Sequence, residues 1–134
     1  MEILEKFNKE IKEFNKKKEK LVNELKPQFT NLFSEVFSKY NIDAFQFQQY
    51  TPYFNDGDTC TFSINDCWTV KLKGGDDFID AYMEKNKELS DGLALINKIL
   101  FSIPDDIMLS MFGDHVEITV NSDLTYTVHD YNHD

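Results

Sequence analysis

The spacing of apolar residues in the first 26 positions constrains the fold more than any other feature of this chain. Apolar side chains recur there every three or four residues, which places them on one face of an α-helix. They are Leu4, Phe7, Ile11, Phe14, Leu21 and Leu25. Lys18 occupies the one position of this stripe where another apolar residue would be expected. The pattern predicts a long amphipathic helix with a single apolar stripe.

Pro27 limits this helix, because proline lacks an amide donor and disfavours helical backbone at the preceding residue. We expect the helix to kink or end there, and a second helical segment to continue to Tyr40. A helix of about 25 residues is about 37 Å long, close to the diameter expected for a domain of this size. Residues 1–26 are therefore predicted to form an arm that spans the body or protrudes from it.

A protruding arm would expose the first four apolar residues of the stripe to water. Exposed apolar surface of this kind is unfavourable unless another protein or a second copy covers it. We therefore predict that Leu4, Phe7, Ile11 and Phe14 bind a partner, with a homodimer as one alternative.

After Tyr40 the apolar period changes from that of a helix to that of a strand. Phe45 and Phe47 alternate with glutamines in a first strand. The alternation of apolar residues predicts two hairpins with three-residue turns. The first would pair residues 60–64 with residues 68–72, and the second would pair residues 116–120 with residues 124–128. In the first hairpin Ile64 would pair with Trp68, and Cys60 would lie in the core.

Three helix starts are predicted between the two hairpins. Asp76-Asp77 begins one helix, Ser90 or Asp91 caps a second, and Asp105-Asp106 opens a last helix that ends at Gly113. Paired acids at a helix start interact favourably with its exposed amides and with the helix dipole. We therefore interpret these pairs as capping residues rather than catalytic residues. The whole pattern predicts a single α+β domain: a long N-terminal helix, an antiparallel sheet of about five strands in two hairpins, and helices between the hairpins.

Charge is distributed unevenly within the total of −10. Residues 1–26 carry eight lysines and six glutamates, which leaves about −12 on the remainder, and the chain contains no arginine. Direct binding to nucleic acid normally requires a basic surface, so we do not expect it. An acidic body suits a partner protein with a basic surface. Its predicted contact residues are Asp56, Asp58, Asp76 and Asp77.

The expected compartment is the cytoplasm. No apolar run approaches the roughly 20 residues of a membrane span, and Glu2, Glu5 and Lys6 interrupt the region where a signal peptide would be apolar. Cys60 and Cys67 are too few and too unfavourably spaced for a disulfide framework. We expect a reduced protein without membrane contact.

Histidines supply the one candidate metal site. The register predicted for the second hairpin places His115 directly opposite His129. Two imidazoles on directly opposite residues of neighbouring strands are close enough to bind the same metal ion. Surface histidines at a sheet end are the preferred interpretation, so no metal or cofactor is predicted.

Other chemistry has little support in the sequence. Residues Asn55 to Asp58 lack the glutamate that a calcium loop needs and instead indicate a turn around Gly57. No nucleophile elbow, phosphate loop or zinc-protease motif occurs, so the sequence predicts a protein that is not an enzyme.

Two segments carry a resemblance. Residues 49–58 read QYTPYFNDGD and precede Cys60, Phe62 and Ile64, and residues 112–115 read FGDH before a hairpin and an acidic, histidine-containing tail. In both segments the chain resembles small uncharacterised bacteriophage proteins. The resemblance implies a phage accessory protein made in the bacterial cytoplasm. It offers no catalytic residues.

Two functions from different classes remain open. The first, suggested by the acidic body and by the phage resemblance, is inhibition of a host nuclease or defence enzyme, of the anti-CRISPR or anti-restriction type, by occupying a basic surface. The second is an assembly module of the phage that oligomerises through its N-terminal helix.

Overall fold

Helix α1 spans Glu2–Leu25 in this computed structural model, which describes residues 1–53, 57, 60–65, 68–81 and 87–132. Its first turn carries Glu2 and Glu5, whose charges stabilise the exposed amides at that end. An eight-residue 3₁₀ helix, Lys26–Phe33, begins just before Pro27, and helix α2, Ser34–Lys39, continues it. The predicted break at Pro27 is confirmed, because the α-helical ladder ends at Leu25.

One antiparallel sheet forms the rest of the framework, with strand β1, Ile42–Tyr50, at its centre. The other strands are β2 (Ser63–Ile64), β3 (Thr69–Leu72), β4 (Ile79–Asp80), β5 (Val116–Asn121) and β6 (Tyr126–Asp130). Their order is β4-β3-β1-β5-β6, and β2 also pairs with β1. Helices α3, Lys87–Leu100, and α4, Asp105–Phe112, lie between β4 and β5 in the chain. The predicted α+β class is confirmed.

The first predicted hairpin is wrong. Strands β2 and β3 do not pair with each other; both pair with β1, which places Ile64 against Gln49 and Val70 against Phe45. They form one interrupted strand that runs antiparallel to the nine residues of β1. Cys60 is half-buried and its thiol is free, so its predicted place in the core is also wrong. The predicted turn residue Cys67 lies outside the described residues.

The second predicted hairpin forms, but its register differs by two residues. Val120 pairs with Tyr126 and Ile118 with Val128, because the turn contains residues 122–124 instead of residues 121–123. Leu124 adopts a positive φ of 65° in that turn. A shift of two residues keeps every side chain on its predicted face, since side chains alternate with a period of two.

Two of the predicted helix starts are also wrong. Asp76 and Asp77 lie in a bend before β4, where Ile79 pairs with Val70 of β3, so no helix begins there. Helix α3 already includes Ser90 and Asp91 in its interior. Helix α4 begins at Asp105 and ends before Gly113, as predicted. No helix in the described part of the chain has the length and apolarity to cross a membrane.

The core lies between one face of the sheet and the helices. Phe45 and Phe47 of β1 face it, together with alternate residues of β5. The ring of Phe33 meets the ring of Phe45 edge-on at 4.8 Å, and Phe29 meets Phe112 of α4 at 4.9 Å. The opposite face of the sheet is polar, where Gln48 donates to Glu117 across the β1–β5 pair. The protein thus has two layers, the sheet and the helices that cover one face of it. The 3₁₀ helix packs on the sheet through Phe33 and connects it to the C-terminal end of α1.

Candidate functional site

The apolar face of α1 is the most conspicuous surface of the described chain. Every residue from Met1 to Lys17 is exposed. The four residues predicted to bind a partner retain large exposed fractions: Leu4 53%, Phe7 59%, Ile11 44% and Phe14 67%. They lie on one side of the helix at the spacing of a packing seam. Single exposed apolar residues are normal on a surface, whereas an aligned row is typical of an interface.

The body contacts α1 near its C-terminal end. Val22 is the buried residue of this helix. The ammonium of Lys18 lies 3.2 Å from Oδ2 of Asp106 in the first turn of α4. Because Asp106 compensates this charge, the alkyl stem of Lys18 can contribute apolar surface to the stripe. The interruption at Lys18 is therefore smaller than the sequence alone suggests.

A cavity of about 200 Å³ continues the stripe at the base of α1. Its walls include Leu25 at the end of the helix, Phe29 and Leu32 of the 3₁₀ helix, and Met111 of α4. Leu32 is 50% exposed at this site. The apolar surface thus extends from Leu4 along α1 to a concave end beside Leu32. We call this continuous surface, from Leu4 to Leu32, the α1 face.

A second cluster joins the end of β1 to the start of β5. The backbone amide of Thr51 donates to Oδ1 of Asp114 at 2.8 Å, and the hydroxyl of Thr51 donates to Oδ2 at 2.7 Å. The amide of His115 donates to Oδ1 of the same carboxylate. The ring of Tyr53 stacks on the ring of His115 at 4.8 Å. These contacts join residues 51–53, after β1, to residues 114–115, before β5.

Hydrogen bonding lowers the pKa of Asp114. Burial by itself would raise the pKa of this carboxyl, but the hydrogen bonds from Thr51 and His115 outweigh it and leave the pKa below its ordinary value. Both oxygens of the ionised carboxylate already accept hydrogen bonds. Asp114 therefore fastens two loops together, and its geometry does not indicate an acid–base catalyst.

Gln49 is the buried polar residue next to this cluster, with a side chain that is fully inaccessible. Its Nε2 donates to the carbonyl of Met108 at 3.0 Å and to the carbonyl of Gly113 at 2.8 Å. Its Oε1 is buried without a hydrogen-bond partner among the described residues. Gln49 thus secures the C-terminal end of α4 to β1.

The structure separates the two histidines of the candidate metal site. His129 pairs with Glu117 on β5, and Asp130 pairs with Val116, so His129 does not lie opposite His115. The predicted pairing is wrong because the turn is displaced by one residue. Among the described residues, no group of three or more histidine, cysteine or acidic side chains is arranged to hold a metal ion.

The predicted acidic contact residues are only partly placed. Asp76 and Asp77 are exposed in the bend between β3 and β4, and Asp80 of the adjacent edge strand is exposed too. Asp56 and Asp58 lie outside the described residues. The structure therefore places one acidic group at the β4 edge of the sheet.

Comparisons of the chain with protein-family models, with curated proteins and with solved structures gave no match.

Sequence reasoning missed the contact between Thr51 and Asp114 and the role of Gln49. One signal was present for Gln49: it shares the alternation of Phe45 and Phe47, which places it on the buried face of β1. A polar residue on a buried face requires hydrogen-bond partners. No local signal identifies the partner of Thr51, which lies 63 residues further along the chain.

Proposed function

We propose that this chain is a non-catalytic binding protein that docks onto another protein subunit through the α1 face. The observation that carries this proposal is the row of Leu4, Phe7, Ile11 and Phe14, each 44–67% exposed on one side of a helix. An amphipathic helix with such anchors at three- and four-residue spacing is a recurring mode of protein recognition. Burial of each anchor would contribute about 1.5–3 kcal/mol before the entropy cost of association.

The charge pattern supports the same use of the helix. Residues 1–26 carry a small positive charge, whereas the remaining residues carry about −12. The charges of α1 lie mainly around its other sides, where they keep the free helix soluble. A partner that covers the α1 face therefore buries apolar side chains with little desolvation of charge.

Photo-crosslinking tests the proposal directly. A photoreactive side chain replaces Phe14 in the intact chain, and a control carries it at Lys16, on the opposite side of the helix. Irradiation in the cells that make the protein should give a discrete adduct from position 14 and none from position 16. Equal yields from both positions, or no adduct from position 14, would contradict docking through the α1 face.

A second candidate is favoured by the exposed acidic group Asp76, Asp77 and Asp80 at the sheet edge. In this alternative the chain is a phage accessory protein of the bacterial cytoplasm that inhibits a host nuclease or defence enzyme, as the resemblance implies. The acidic edge would bind the basic surface of that enzyme, with association that weakens steeply as salt increases.

Two variants separate the candidates. Replacing Phe7 and Phe14 by serine removes anchors from α1, whereas replacing Asp76, Asp77 and Asp80 by asparagine removes charge from the sheet edge. Docking through α1 predicts that the serine variant loses its partner and the asparagine variant keeps it. Inhibition through the acidic edge predicts the reverse, together with protection of a host nuclease target that is lost at high salt.

A further inference from the structure

We infer that the partner on the α1 face is a second copy of this chain, whose own α1 packs against it in the antiparallel direction. This inference rests on the proposed function, because it names the protein that the α1 face binds. It is carried by the order of apolar and charged residues along α1 and by the place where the body already contacts the helix.

The apolar stripe is self-complementary when the second helix is antiparallel to the first. Stripe residues occupy the two core positions of a heptad: Leu4, Ile11, Lys18 and Leu25 at the first, and Phe7, Phe14 and Leu21 at the second. In an antiparallel pair these positions alternate across the seam. Ile11 then faces Phe14 of the second copy in two central layers, and Leu4 faces Leu21 in two outer layers. Every outer and central layer is apolar.

Phe7 faces Lys18 in the two layers that remain. The ammonium of Lys18 is held by Asp106 of its own chain, at 3.2 Å, and so does not have to enter the seam. The alkyl stem of Lys18 can pack on the ring of Phe7, which also attracts the nearby positive charge. The residue that interrupts the stripe in the sequence is thereby accommodated.

Charges flanking the seam select this register. Glu10 and Lys17 lie on the same side of the apolar stripe, about two helical turns apart. In the antiparallel register Glu10 of each copy lies beside Lys17 of the other, so the symmetric pair forms two opposite-charge contacts. Asn8 and Asn15 lie on the other side of the stripe and face each other in the same way. Around the centre of the seam both flanks therefore carry compatible side chains.

A parallel pair is disfavoured on three counts. Glu10 would face Asn15, which gives no charge pairing, and Lys18 would face Lys18. Parallel helices would also bring two bodies of about −12 each to the same end, whereas antiparallel helices keep them apart.

The base of the helix remains open to the second copy. Leu21 and Leu25 are 46% and 38% exposed, so the stripe is accessible down to its last residue. In the antiparallel register Met1 of one copy lies level with Glu24 of the other, next to Leu25. The cavity beside Leu25 and Leu32 begins at that level and can receive the apolar side chain of Met1.

Charge reversal tests the register. We measure the dimerisation constant of the full chain by sedimentation equilibrium for the wild type, E10K, K17E and the double variant E10K/K17E. Each single variant creates two like-charge contacts and should weaken dimerisation about tenfold. The double variant restores both pairs with their signs exchanged and should return to within about threefold of the wild type.

Matched controls make the same charge changes away from the seam. E13K and K16E should leave the dimerisation constant within about twofold of the wild type. A dimer that responds equally to E10K and E13K, or a double variant weaker than both single variants, would overturn the antiparallel register. A wild type that stays monomeric to millimolar concentration would overturn self-association.

The photo-crosslink at position 14 separates failure of this inference from failure of the proposed function. An adduct with the mass of two chains supports both. An adduct with a different protein retains docking through the α1 face and overturns the second copy. No adduct contradicts both.

Discussion

Lys18 of helix α1 donates to Asp106 of helix α4, with Nζ 3.2 Å from Oδ2. This contact marks the boundary between two parts of one helix. On its C-terminal side α1 is attached to the body through Val22, and on its N-terminal side every residue from Met1 to Lys17 is exposed. An isolated helix of that length is only marginally stable in water. We therefore expect a partner that covers the exposed part of α1 to stabilise it.

Replacing Lys18 by methionine should strengthen self-association about tenfold or more. The substitution makes the stripe apolar from Leu4 to Leu25 and places the new thioether side chain against Phe7 of the second copy, which buries additional apolar surface. The ion pair that is lost is partly exposed, with 30% of the Lys18 and 64% of the Asp106 side chain accessible. Its loss should change the free energy of unfolding by only about 0.2–1 kcal/mol. Sedimentation equilibrium and urea unfolding measure the two effects.

Asp106→Asn provides the control for this variant, since it weakens the same ion pair without changing the stripe. It should leave self-association unchanged or slightly weaker. If K18M and D106N shift the dimerisation constant equally, Lys18 does not lie at the interface.

Removing the Asp114 carboxylate should destabilise the fold without affecting self-association. Asp114→Ala deprives the amide and hydroxyl of Thr51 of their acceptor, which should lower the free energy of unfolding at pH 7 by about 1–3 kcal/mol. Because the pKa of Asp114 is lowered in the folded state, its stabilisation is present above the unfolded pKa of about 3.9 and is lost as the pH falls through the folded pKa.

Urea unfolding as a function of pH checks this dependence. The difference between wild type and Asp114→Ala should be constant near neutrality and shrink in the acid range below the unfolded pKa. A difference that grows on acidification would mean that the carboxylate is not the stabilising form.

Gln49 should tolerate neither an apolar nor a charged replacement. Gln49→Leu removes the donor to Met108 and Gly113 and should cost about 1–3 kcal/mol of unfolding free energy. Gln49→Glu should cost more at neutral pH, because it buries a negative charge against two carbonyl oxygens. Protonation of the new carboxyl should recover part of that loss at low pH. An equal cost for the two variants at pH 7 would contradict the assigned hydrogen bonds.

Gly92 of α3 should resist replacement by alanine although alanine favours helices. A Cβ at this position would lie 2.7 Å from Cγ and 3.1 Å from Cβ of Tyr40. The backbone fixes this Cβ, and Cγ can move only if the whole ring of Tyr40 changes its χ1 rotamer. Overpacking of this kind costs about 1–3 kcal/mol and exceeds the gain of about 1 kcal/mol in helix propensity. In a Tyr40→Ala background the same substitution should become neutral or stabilising, which thermal unfolding of the four variants measures.

Local periodicity predicted the elements whose side chains follow a single repeat. The stripe of α1, the alternation around Phe45 and the end of α4 at Gly113 all have such signals within a few residues. The comparison of helix length with body size left open whether this helix spans the body or protrudes from it, and the structure leaves Phe7 and Phe14 exposed.

Pairing partners could not be predicted in the same way. The runs ending at Ile64 and beginning at Trp68 suit a hairpin, but equally suit one interrupted strand beside a long β1, and only the non-local pairing distinguishes them. Ile79 belongs to a strand of two residues, too short to show any period. The apolar alternation assigns Leu124 to a strand, yet it adopts a left-handed turn conformation that usually favours glycine. That displaced turn separated His129 from His115.

Hydrogen exchange of the backbone amides of α1 tests the central claim, that a second copy covers the α1 face, most directly. The intact wild-type protein is labelled at increasing concentration, and the amides of residues 2–17 are compared with those of β1. We predict that protection of residues 2–17 increases with concentration while β1, at the centre of the sheet, remains protected throughout. Rapid exchange of residues 2–17 at every concentration, with β1 fully protected, would contradict the claim.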